Sequence, residues 1–484
     1  MSLSLSDSPA RPLLELAARL ARDRGQRLWL AGGVVRDLLL GLSPCDVDLA
    51  VAGDALDLGR ALAAATGARF VLLSARDATC RLVSGALHLD LAGLRAPDIR
   101  GDLGRRDFTI NALALELGDA LAGRGEILDP TGGQADLAAR LLRPAGPGVL
   151  ADDPLRVLRG FRFLAALDLS PAPGVLAELA AAGPGLFRVA AERVGQEWLA
   201  LMAGPAAPRA VAALEEAQVL TRLVPELALG RGMLQNPYHH LDVFRHNLAT
   251  LAAVGDIAAR PAHHFGPGPP DLAGEVADYL AHDRRRALLA TAALLHDLGK
   301  PATRREKAPG WATFYNHDQV GAALARARVR ALGLSRADAE RVALLVAGHM
   351  RPFQLLGAAR RGRLTNRAVR RQLTVAGRDL AGLMVLAMAD TLAGKGPDRP
   401  PEAEEQLAAL CRRVVELRDR SLAAALAAPP LLDGRRLMAG LGLRPGPLVG
   451  RLLGLVREAQ LDGKIATAEE ALALARRLAG SAAN

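Results

Sequence analysis

The feature that most constrains the fold of this sequence is a change of pattern near residue 150. Before it, short apolar runs of strand length alternate with short helical segments; these runs are Arg27–Ala31, Asp46–Val51, Phe70–Leu73, Cys80–Val83 and Leu87–Leu91. After it, apolar residues recur at helical spacing and strand-like runs nearly vanish. This order of elements predicts an α+β chain, with a small mixed sheet at its start and helices in the remainder.

Proline and glycine clusters divide the helical part. A length of 484 residues suits about three domains. We expect a head over residues 1–145, a helical neck over 146–230, a helical middle domain over 231–400 and a helical tail over 401–484. Two stretches rich in proline and glycine, 260–274 and 394–401, are predicted to be loops.

Composition excludes several classes of protein. Half of the residues are hydrophobic but only 3% are aromatic, so the cores are built from Leu, Val and Ala, and intrinsic disorder is excluded. Three scattered cysteines do not make a disulfide scaffold. The sequence contains no uninterrupted apolar run of about 18 residues, so no membrane span is predicted. The N-terminus does not resemble a secretory signal. We therefore expect a cytoplasmic protein without a membrane partner. The net charge of +10 favours nucleic acid or nucleotide phosphates as partners.

Two short motifs in the head suggest a phosphate site with a metal. Gly32 and Gly33 lie between a predicted strand and a predicted helix, where backbone amides can approach a phosphate. Asp46 and Asp48 follow on the next strand, and the strand period puts both carboxylates on one face. Such a pair is favourable when a cation such as Mg²⁺ neutralises it. The alternatives are an ordinary turn and a solvated strand edge.

Two further groups of the first half of the chain carry charge. Asp90, on a later strand, is a candidate third carboxylate or a surface residue. Arg105 and Arg106 precede an apolar segment that is predicted to be a helix, and arginine suits a triphosphate. The alternative for the arginine pair is a charged helix start.

The beginning of the neck contains an aspartate and two arginines at helical spacing. Asp153, Arg156 and Arg159 are three residues apart and follow an Asp-Pro helix start. A carboxylate accepts from an exocyclic amino group and a guanidinium donates to a ring acceptor, so Asp153 with Arg156 could read cytosine and adenine. The alternative is an intrahelical salt bridge.

These segments together resemble the class II tRNA nucleotidyltransferase and bacterial poly(A) polymerase family. The matching segments are the glycine turn with Arg36-Asp37, Asp46-x-Asp48, Arg105–Ala112, Asp129-Pro130 with Gly132, Asp136-Leu137 with Arg143, and Asp152–Phe163. The resemblance implies a head of the DNA polymerase beta type that transfers a nucleotide to an RNA 3′ hydroxyl with two metal ions. It implies Asp46 and Asp48, with Asp90, as catalytic carboxylates, the first two holding Mg²⁺. It implies nucleotide contacts at Gly32, Gly33, Arg36, Arg105, Arg106, Asp107, Asn111, Asp153, Arg156 and Arg159.

The sequence departs from this family's pattern at two places. The last motif begins with Asp152 where glutamate is usual. Members that add C, C and A usually carry a longer flexible loop before the arginine block, whereas only Ala96 to Gly101 separates Arg95 from Asp102 here. A short connection resembles members that add only part of the triplet.

The middle domain contains an ordered set of histidines and aspartates. Along the chain these are His246, then the His296-Asp297 pair at the end of an apolar helix, and then Asp390. This order resembles the HD phosphohydrolase superfamily, which implies a divalent metal (Mg, Mn, Ni or Fe) and hydrolysis by a metal-activated water. His317 and His349 could extend the site to a second metal. The alternative is a degenerate HD fold without catalysis.

The sequence thus predicts an enzyme that adds or repairs the 3′-terminal CCA of tRNA from CTP and ATP, with an HD phosphohydrolase activity. The partners are the tRNA 3′ end, CTP and ATP, and the tail is expected to contact the tRNA body. Three alternatives stay open: an enzyme that adds only CC or only A, a poly(A) polymerase, and an HD phosphohydrolase whose head binds RNA.

Overall fold

The structure, a computed structural model, describes residues 9–42, 46–85, 87–308, 311–419, 428–461 and 464–481. The chain forms two compact units. The first comprises Met1–Leu229, Arg286–Thr291 and Arg326–Ala339, and the second comprises Gly230–Arg285, Ala292–Ala325 and Glu340–Asn484.

Ten strands alternate with helices along the described chain. The strands are β1 (Arg27–Ala31), β2 (Asp46–Ala52), β3 (Arg69–Ser74), β4 (Thr79–Ser84), β5 (Leu87–Gly93), β6 (Ala114–Glu116), β7 (Leu141–Leu142), β8 (Ser170–Pro171), β9 (Arg305–Ala308) and β10 (Trp311–Thr313). The helices of the head and neck are α1 (Arg11–Asp23), α2 (Gly33–Leu39), α3 (Ala55–Thr66), α4 (Ile99–Leu103), α5 (Leu117–Leu121), α6 (Gly133–Ala138), α7 (Val149–Asp152), α8 (Leu155–Leu167), α9 (Val175–Ala182), α10 (Ala191–Ala203), α11 (Ala207–Glu216) and α12 (Leu220–Leu223).

The remaining helices follow the neck. They are α13 (Val243–Ala259), α14 (Pro261–Phe265), α15 (Leu272–Ala281), α16 (Asp283–Leu295), α17 (Lys300–Thr303), α18 (His317–Ala331), α19 (Arg336–Gly348), α20 (Arg351–Arg360), α21 (Asn366–Ala376), α22 (Leu380–Ala393), α23 (Ala403–Leu417), α24 (Gly434–Leu441), α25 (Pro447–Leu461) and α26 (Ala468–Ser481).

The head is built on a six-stranded sheet in the order β3-β4-β5-β2-β1-β6. Only the β2–β5 pair is parallel, and the other four pairs are antiparallel. Leu30, Leu49 and Leu82 of the sheet are fully or almost fully buried and form one core with Leu14 of α1 and Leu62 of α3. Helices α1 and α3 therefore cover one face of the sheet, as the mixed pattern of strands and helices predicts.

The predicted strands of the head are confirmed, but the helix predicted after Arg105 and Arg106 is wrong. Helix α4 ends at Leu103, and the segment that follows forms only a 3₁₀ turn over Thr109–Asn111. Its backbone pairs elsewhere: the Thr109 amide donates to the Arg143 carbonyl at 2.9 Å. The Asp107 carboxylate also accepts from the Phe108 amide at 2.8 Å. One of these bonds is long-range and the other is a local side-chain bond; both compete with helical hydrogen bonds, and sequence periodicity does not report them.

The neck is helical, and α8 is its central element. Pro154 precedes α8, as the Asp-Pro start predicted. Phe161 on α8 and Trp198 on α10 are fully buried. The Trp198 indole donates to the Thr291 hydroxyl at 3.1 Å, which satisfies its only polar atom.

In the second unit, helices surround a histidine cluster, and two local expectations fail. Helix α14 and the start of α15 lie inside the predicted loop 260–274, because Phe265 is fully buried and holds the segment in the core. The β9–β10 hairpin is also unpredicted, because its strands are short and β9 is exposed along its whole length. The predicted loop 394–401 lies between α22 and α23 and is confirmed.

Two stretches, Arg336–Arg360 and Arg367–Ala393, are long and apolar enough to cross a membrane by length and composition. The most apolar part of the second is 72% buried within the protein. It includes α22, whose residues Leu383, Val385 and Met388 are buried, as in an interior helix of a globular domain. The C-terminal helices α24 to α26 share a small core of their own that includes Leu437, Leu452 and Ala475.

Two candidate active sites

The first site is a cavity of about 600 Å³ between the sheet and the start of α8, lined mostly by charged side chains. The predicted residues that line it are Gly32, Gly33, Arg36, Asp48, Asp90, Arg105, Arg106, Asp107, Asn111, Asp153, Arg156 and Arg159. The structure therefore brings together residues from the glycine turn, two strands, the arginine block and the neck helix.

The glycine turn is shaped by close packing. Gly32 has a φ of +83°, and a Cβ there would lie 2.7 Å from Arg106 Nη1. The positive φ favours glycine, because other residues are strained there, and a Cβ would have to displace the end of the Arg106 side chain. Helix α2 begins at Gly33, and its Arg36 guanidinium donates to the Asn111 side chain at 2.7 Å. The glycine turn thus places backbone amides and the oriented Arg36 guanidinium at the cavity.

Carboxylates stand on two neighbouring strands at the cavity wall. Register places Asp48 of β2 directly beside Asp90 of β5, and Asp90 beside Arg81 of β4. Arg81 donates to both oxygens of Asp90, at 2.7 and 2.8 Å. Asp46 opens β2, and its side chain lies outside what the structure describes. Asp48 is thus in place for a metal, while Asp90 is held by an arginine.

Asp107 is a buried anion of this cavity. Burial alone would raise its pKa, but the ion pair with Arg159, at 2.6 Å, together with hydrogen bonds from Asn111 and the Phe108 amide, outweighs burial and lowers the pKa below its ordinary value. Asn111 adds a hydrogen bond to Asp107 at 3.2 Å. Arg159 also lies 3.5 Å from Glu197, so two carboxylates fix its guanidinium. The predicted Arg159 contact is therefore oriented before any ligand binds.

The proposed base-reading pair has separate partners in the structure. The Asp153 carboxylate accepts from the Leu155 amide at 3.1 Å and pairs with Arg193 at 3.1 Å. Arg156 donates to the Val149 carbonyl at 3.0 Å, and burial lowers its pKa. The intrahelical salt bridge considered above is thus replaced by these contacts. Asp153 precedes the helix rather than lying in it.

The second site is a cluster of imidazoles and carboxylates in the second unit. His246 of α13, His296 and Asp297 after α16, and Asp390 of α22 meet as the sequence order predicted. His246 Nε2 lies 2.9 Å from Asp390 Oδ1, and His296 Nε2 lies 3.3 Å from Asp297 Oδ2. His317 and His349 join the cluster: their Nε2 atoms are 3.1 Å apart. His317 Nε2 lies 3.4 Å from Asp297 Oδ1, so Asp297 connects the two halves.

The donor atoms of this cluster suit a divalent metal. The Nδ1 atoms of His296, His317 and His349 each donate to a backbone carbonyl three residues earlier, at 2.9, 2.7 and 2.6 Å. These bonds fix the tautomer and leave Nε2, with its lone pair, facing the cluster. The groups that could hold an ion have ligand atoms within 4.8 Å of one another. Neutral imidazoles with buried carboxylates form a typical site for transition metals.

Three residues of this site were missed by sequence reasoning. The His239 ring lies 4.8 Å from the His246 ring, and burial, followed by the Lys300 charge, lowers its pKa to about 3. Lys300 is buried, with Nζ 2.6 Å from both Asp297 Oδ2 and Gln235 Oε1. Lys300 follows the His296-Asp297 pair closely in sequence, so that signal was available. His239 and Gln235 come from an irregular segment that carries no periodicity.

Comparisons with known proteins match the regions of the chain that contain the two sites. Residues 28–100 and 95–143 match the model of the poly A polymerase head domain, and residues 243–394 match that of the HD domain. Residues 168–229 match a model described as "Probable RNA and SrmB- binding site of polymerase A".

Two relatives are similar over nearly their whole length. An A-adding tRNA nucleotidyltransferase of Deinococcus radiodurans is 37% identical over 93% of this chain and 95% of its own. A CC-adding tRNA nucleotidyltransferase of Thermus thermophilus is 36% identical over 91% of each chain. Among solved structures, a Thermotoga maritima CCA-adding enzyme complexed with tRNA shares the fold, with a TM-score of 0.55, 20% identity, and coverage of 96% of this chain and 94% of that one.

Proposed function

The chain belongs to the tRNA nucleotidyltransferase family, and from this premise we propose that it adds only part of the 3′-terminal CCA to tRNA. The observation that carries the proposal is the short connection from β5 to α4, which consists of Leu94 to Asp98. The Arg95 amide donates to Asp102 at 2.9 Å, and Arg105 donates to the Arg95 carbonyl at 2.6 Å. Because these bonds hold the connection, it is too short to form the flexible loop that is usual in members that add all three nucleotides.

Two relatives support this choice. Both match over at least nine-tenths of this chain, and their names state addition of A and of CC respectively. Neither is named for the whole triplet. A poly(A) polymerase would use the same chemistry to make a different product, and the test below distinguishes the two activities.

The transfer joins the 3′ oxygen of the RNA to the α-phosphorus of CTP or ATP and releases pyrophosphate. We propose that Asp46 and Asp48 hold Mg²⁺, which when bound lowers the cost of deprotonating the attacking oxygen and neutralises the leaving pyrophosphate. Arg36 and Arg106 stand beside the glycine turn and bind the triphosphate as fixed cations. Because Arg36 is oriented by Asn111, at 2.7 Å, little reorganisation is needed when the nucleotide binds.

We propose that Asp153 and Arg156 select the base. Both line the cavity at the start of α8. A carboxylate accepts from the amino group of cytosine or adenine, and a guanidinium donates to the neighbouring ring acceptor. Arg193, at 3.1 Å from Asp153, holds that carboxylate in position. Guanine and uracil present the opposite pattern and are disfavoured.

We propose a second activity, metal-dependent phosphoester hydrolysis, at the HD cluster. The observation in its favour is the inward-facing set of Nε2 atoms around Asp297, which fits one divalent metal at His246, His296, Asp297 and Asp390 and a second at His317 and His349. The metal, Mg, Mn, Ni or Fe, would supply an activated water when bound. The chain's own contribution is to hold the imidazole rings with Nε2 toward the cluster and to shield the site from bulk solvent. We expect the enzyme to act in the cytoplasm.

The product proposal is tested with three tRNA substrates that end before CCA, after C and after CC. Each is incubated with CTP, with ATP and with both, and the 3′ ends are sequenced. The proposal expects growth on only some of these ends, either up to CC with CTP or by one A on the CC end. Completion of CCA from the bare end by this enzyme alone would overturn it. An adenosine tail longer than one residue would indicate the polymerase instead.

A further inference from the structure

The mouth of the HD cavity carries an unusual share of the aromatic side chains of this chain. The sequence contains only three tyrosines and three tryptophans. Tyr238 and Tyr315 both line this cavity, whose volume is about 580 Å³. They are 44% and 72% exposed. Exposed aromatic rings gain nothing from the core, so their position at a cavity mouth indicates contact with a ligand.

Trp311 joins the pair on the β9–β10 hairpin. Its ring packs edge-on against Tyr238, with ring centroids 6.4 Å apart. We call Tyr238, Trp311 and Tyr315 the aromatic rim. Both tyrosines share the cavity lining with the cluster: Tyr238 adjoins His239, Tyr315 is two residues before His317, and all four residues line the cavity.

The backbone around the rim is fixed. The Gly396 amide donates to the Tyr238 carbonyl at 2.9 Å, which ties the Tyr238 segment to the loop that follows Asp390. On the other side, the His317 ring donates to the carbonyl of Phe314, at 2.7 Å. These bonds hold the backbone beside both tyrosines without a ligand, so less ordering is needed when a ring stacks on them.

Cations lie on and beside β9, the strand that pairs with the strand of Trp311. Arg304, Arg305 and Lys307 are exposed, and Arg305 stands opposite Thr313, which lines the cavity. None of the three lines the cavity itself. A ligand that uses both the rim and these cations must extend beyond the cavity, which a single nucleotide does not.

We infer that the aromatic rim and the β9 cations bind the single-stranded 3′ end of an RNA and direct its terminal phosphoester to the HD cluster. Rings that stack on bases, beside cations that follow the phosphates, are the usual means of binding single strands without sequence preference. The inference rests on the proposed phosphohydrolase activity for its chemistry, but not for its binding. Hydrolysis here adds water across the P–O bond and releases inorganic phosphate and the RNA hydroxyl.

Trp311 provides the binding assay. Trp29 and Trp198 are 3% and 0% exposed, so a ligand at the rim changes chiefly the Trp311 fluorescence. The probe is a single-stranded RNA trinucleotide with a 3′-phosphate, titrated into the full chain, and adenosine 3′-monophosphate is the short comparison. We expect the trinucleotide to quench the fluorescence and to bind at least about tenfold more tightly than the mononucleotide, since each stacked base contributes to affinity.

Four variants assign the binding. Tyr315→Ala should weaken trinucleotide binding about tenfold, and Tyr315→Phe should restore it, because stacking needs the ring and not the hydroxyl. Arg305→Ala with Lys307→Ala should reduce the dependence of affinity on salt. The control is Leu73→Ala, which removes an apolar side chain that is 48% exposed on β3 of the head, outside both cavities, and should change nothing.

Phosphate release from glycerol 2-phosphate, which has no ring to stack, reports the phosphohydrolase separately. If this hydrolysis is absent while the rim variants still weaken RNA binding, the proposed hydrolysis fails and the binding surface stands. If hydrolysis occurs but Tyr315→Ala binds the trinucleotide as tightly as wild type, the inference about the rim is wrong. Equal affinity for the trinucleotide and the mononucleotide would also overturn it.

Discussion

Replacing Asp107 by alanine should destabilise the junction of the head and α8 by removing the closer of the two carboxylates that pair with Arg159, at 2.6 Å against 3.5 Å for Glu197. The Asp107 side chain is 8% exposed and that of Arg159 is 34% exposed, so the pair is buried on one side only. Breaking a fully buried pair by removing one partner costs about 3–5 kcal/mol, and the partial exposure of Arg159 places the expected cost near the lower end, about 3 kcal/mol.

Hydrogen exchange of the α8 amides measures this cost locally. A loss of about 3 kcal/mol in opening free energy corresponds to about 150-fold faster exchange. The matched control is Arg209→Ala, whose pair with Asp168 leaves the side chains 65% and 48% exposed. That surface pair should contribute less than about 1 kcal/mol, so exchange should change by less than about fivefold.

The effect of Asp107→Ala on stability has a defined pH dependence. Because the folded protein lowers the pKa of Asp107, the pair stabilises the fold above the ordinary pKa of 3.8 and the contribution is lost as pH falls through the folded pKa. The difference between wild type and Asp107→Ala should therefore be constant near neutrality and shrink below about pH 4. An effect of Asp107→Ala no larger than that of Arg209→Ala, or one that grows on acidification, would refute the reasoning.

Two further predictions concern the head cavity. Asp153→Ala and Arg156→Ala should each loosen base choice, by about 1–3 kcal/mol of discrimination for a lost base contact, more than they slow transfer. The check is incorporation of UTP and GTP relative to CTP and ATP, and unchanged selectivity in both variants would contradict the assignment. Gly32→Ala should raise the KM for the nucleotide severalfold, because its Cβ would lie 2.7 Å from Arg106 Nη1 and displace that cation. Gly25→Ala, also at positive φ but with open space around it, is the control, and equal KM values for the two variants would rule out the packing explanation.

Local patterns predicted the strands and the chemistry of the head, but not its long-range pairing. The alternation in β2 was sufficient to place Asp46 and Asp48 on one strand, because the strand period is local. The segment after Arg106 was assigned to a helix from its apolar composition, whereas its backbone bonds to residues 143–145. The partner of Arg159 could not be predicted either, since Asp107 is 52 residues away.

In the HD site, too, local sequence patterns predicted only part of the cluster. The order His246, His296-Asp297, Asp390 identified the cluster because the residue types are rare and ordered. His239 adds a donor from an irregular segment, and its approach to His246 depends on bonds between the Tyr238 segment and the loop after Asp390. The short β9–β10 hairpin, which carries Trp311, has too few residues for a periodic signal.

The central claim is that the strand carboxylates of the head perform nucleotide addition, independently of the HD cluster. The most direct measurement compares Asp48→Ala with the double variant His296→Ala and Asp297→Ala, scoring tRNA extension and bound metal on the same preparations. Asp48→Ala should abolish extension while the HD cluster keeps its metal, because a lost ligand removes several kcal/mol of transition-state stabilisation, that is about 10³-fold or more in rate. The double variant should lose that metal and extend tRNA at the wild-type rate. Near wild-type extension by folded Asp48→Ala, or loss of extension by the folded double variant, would contradict the account.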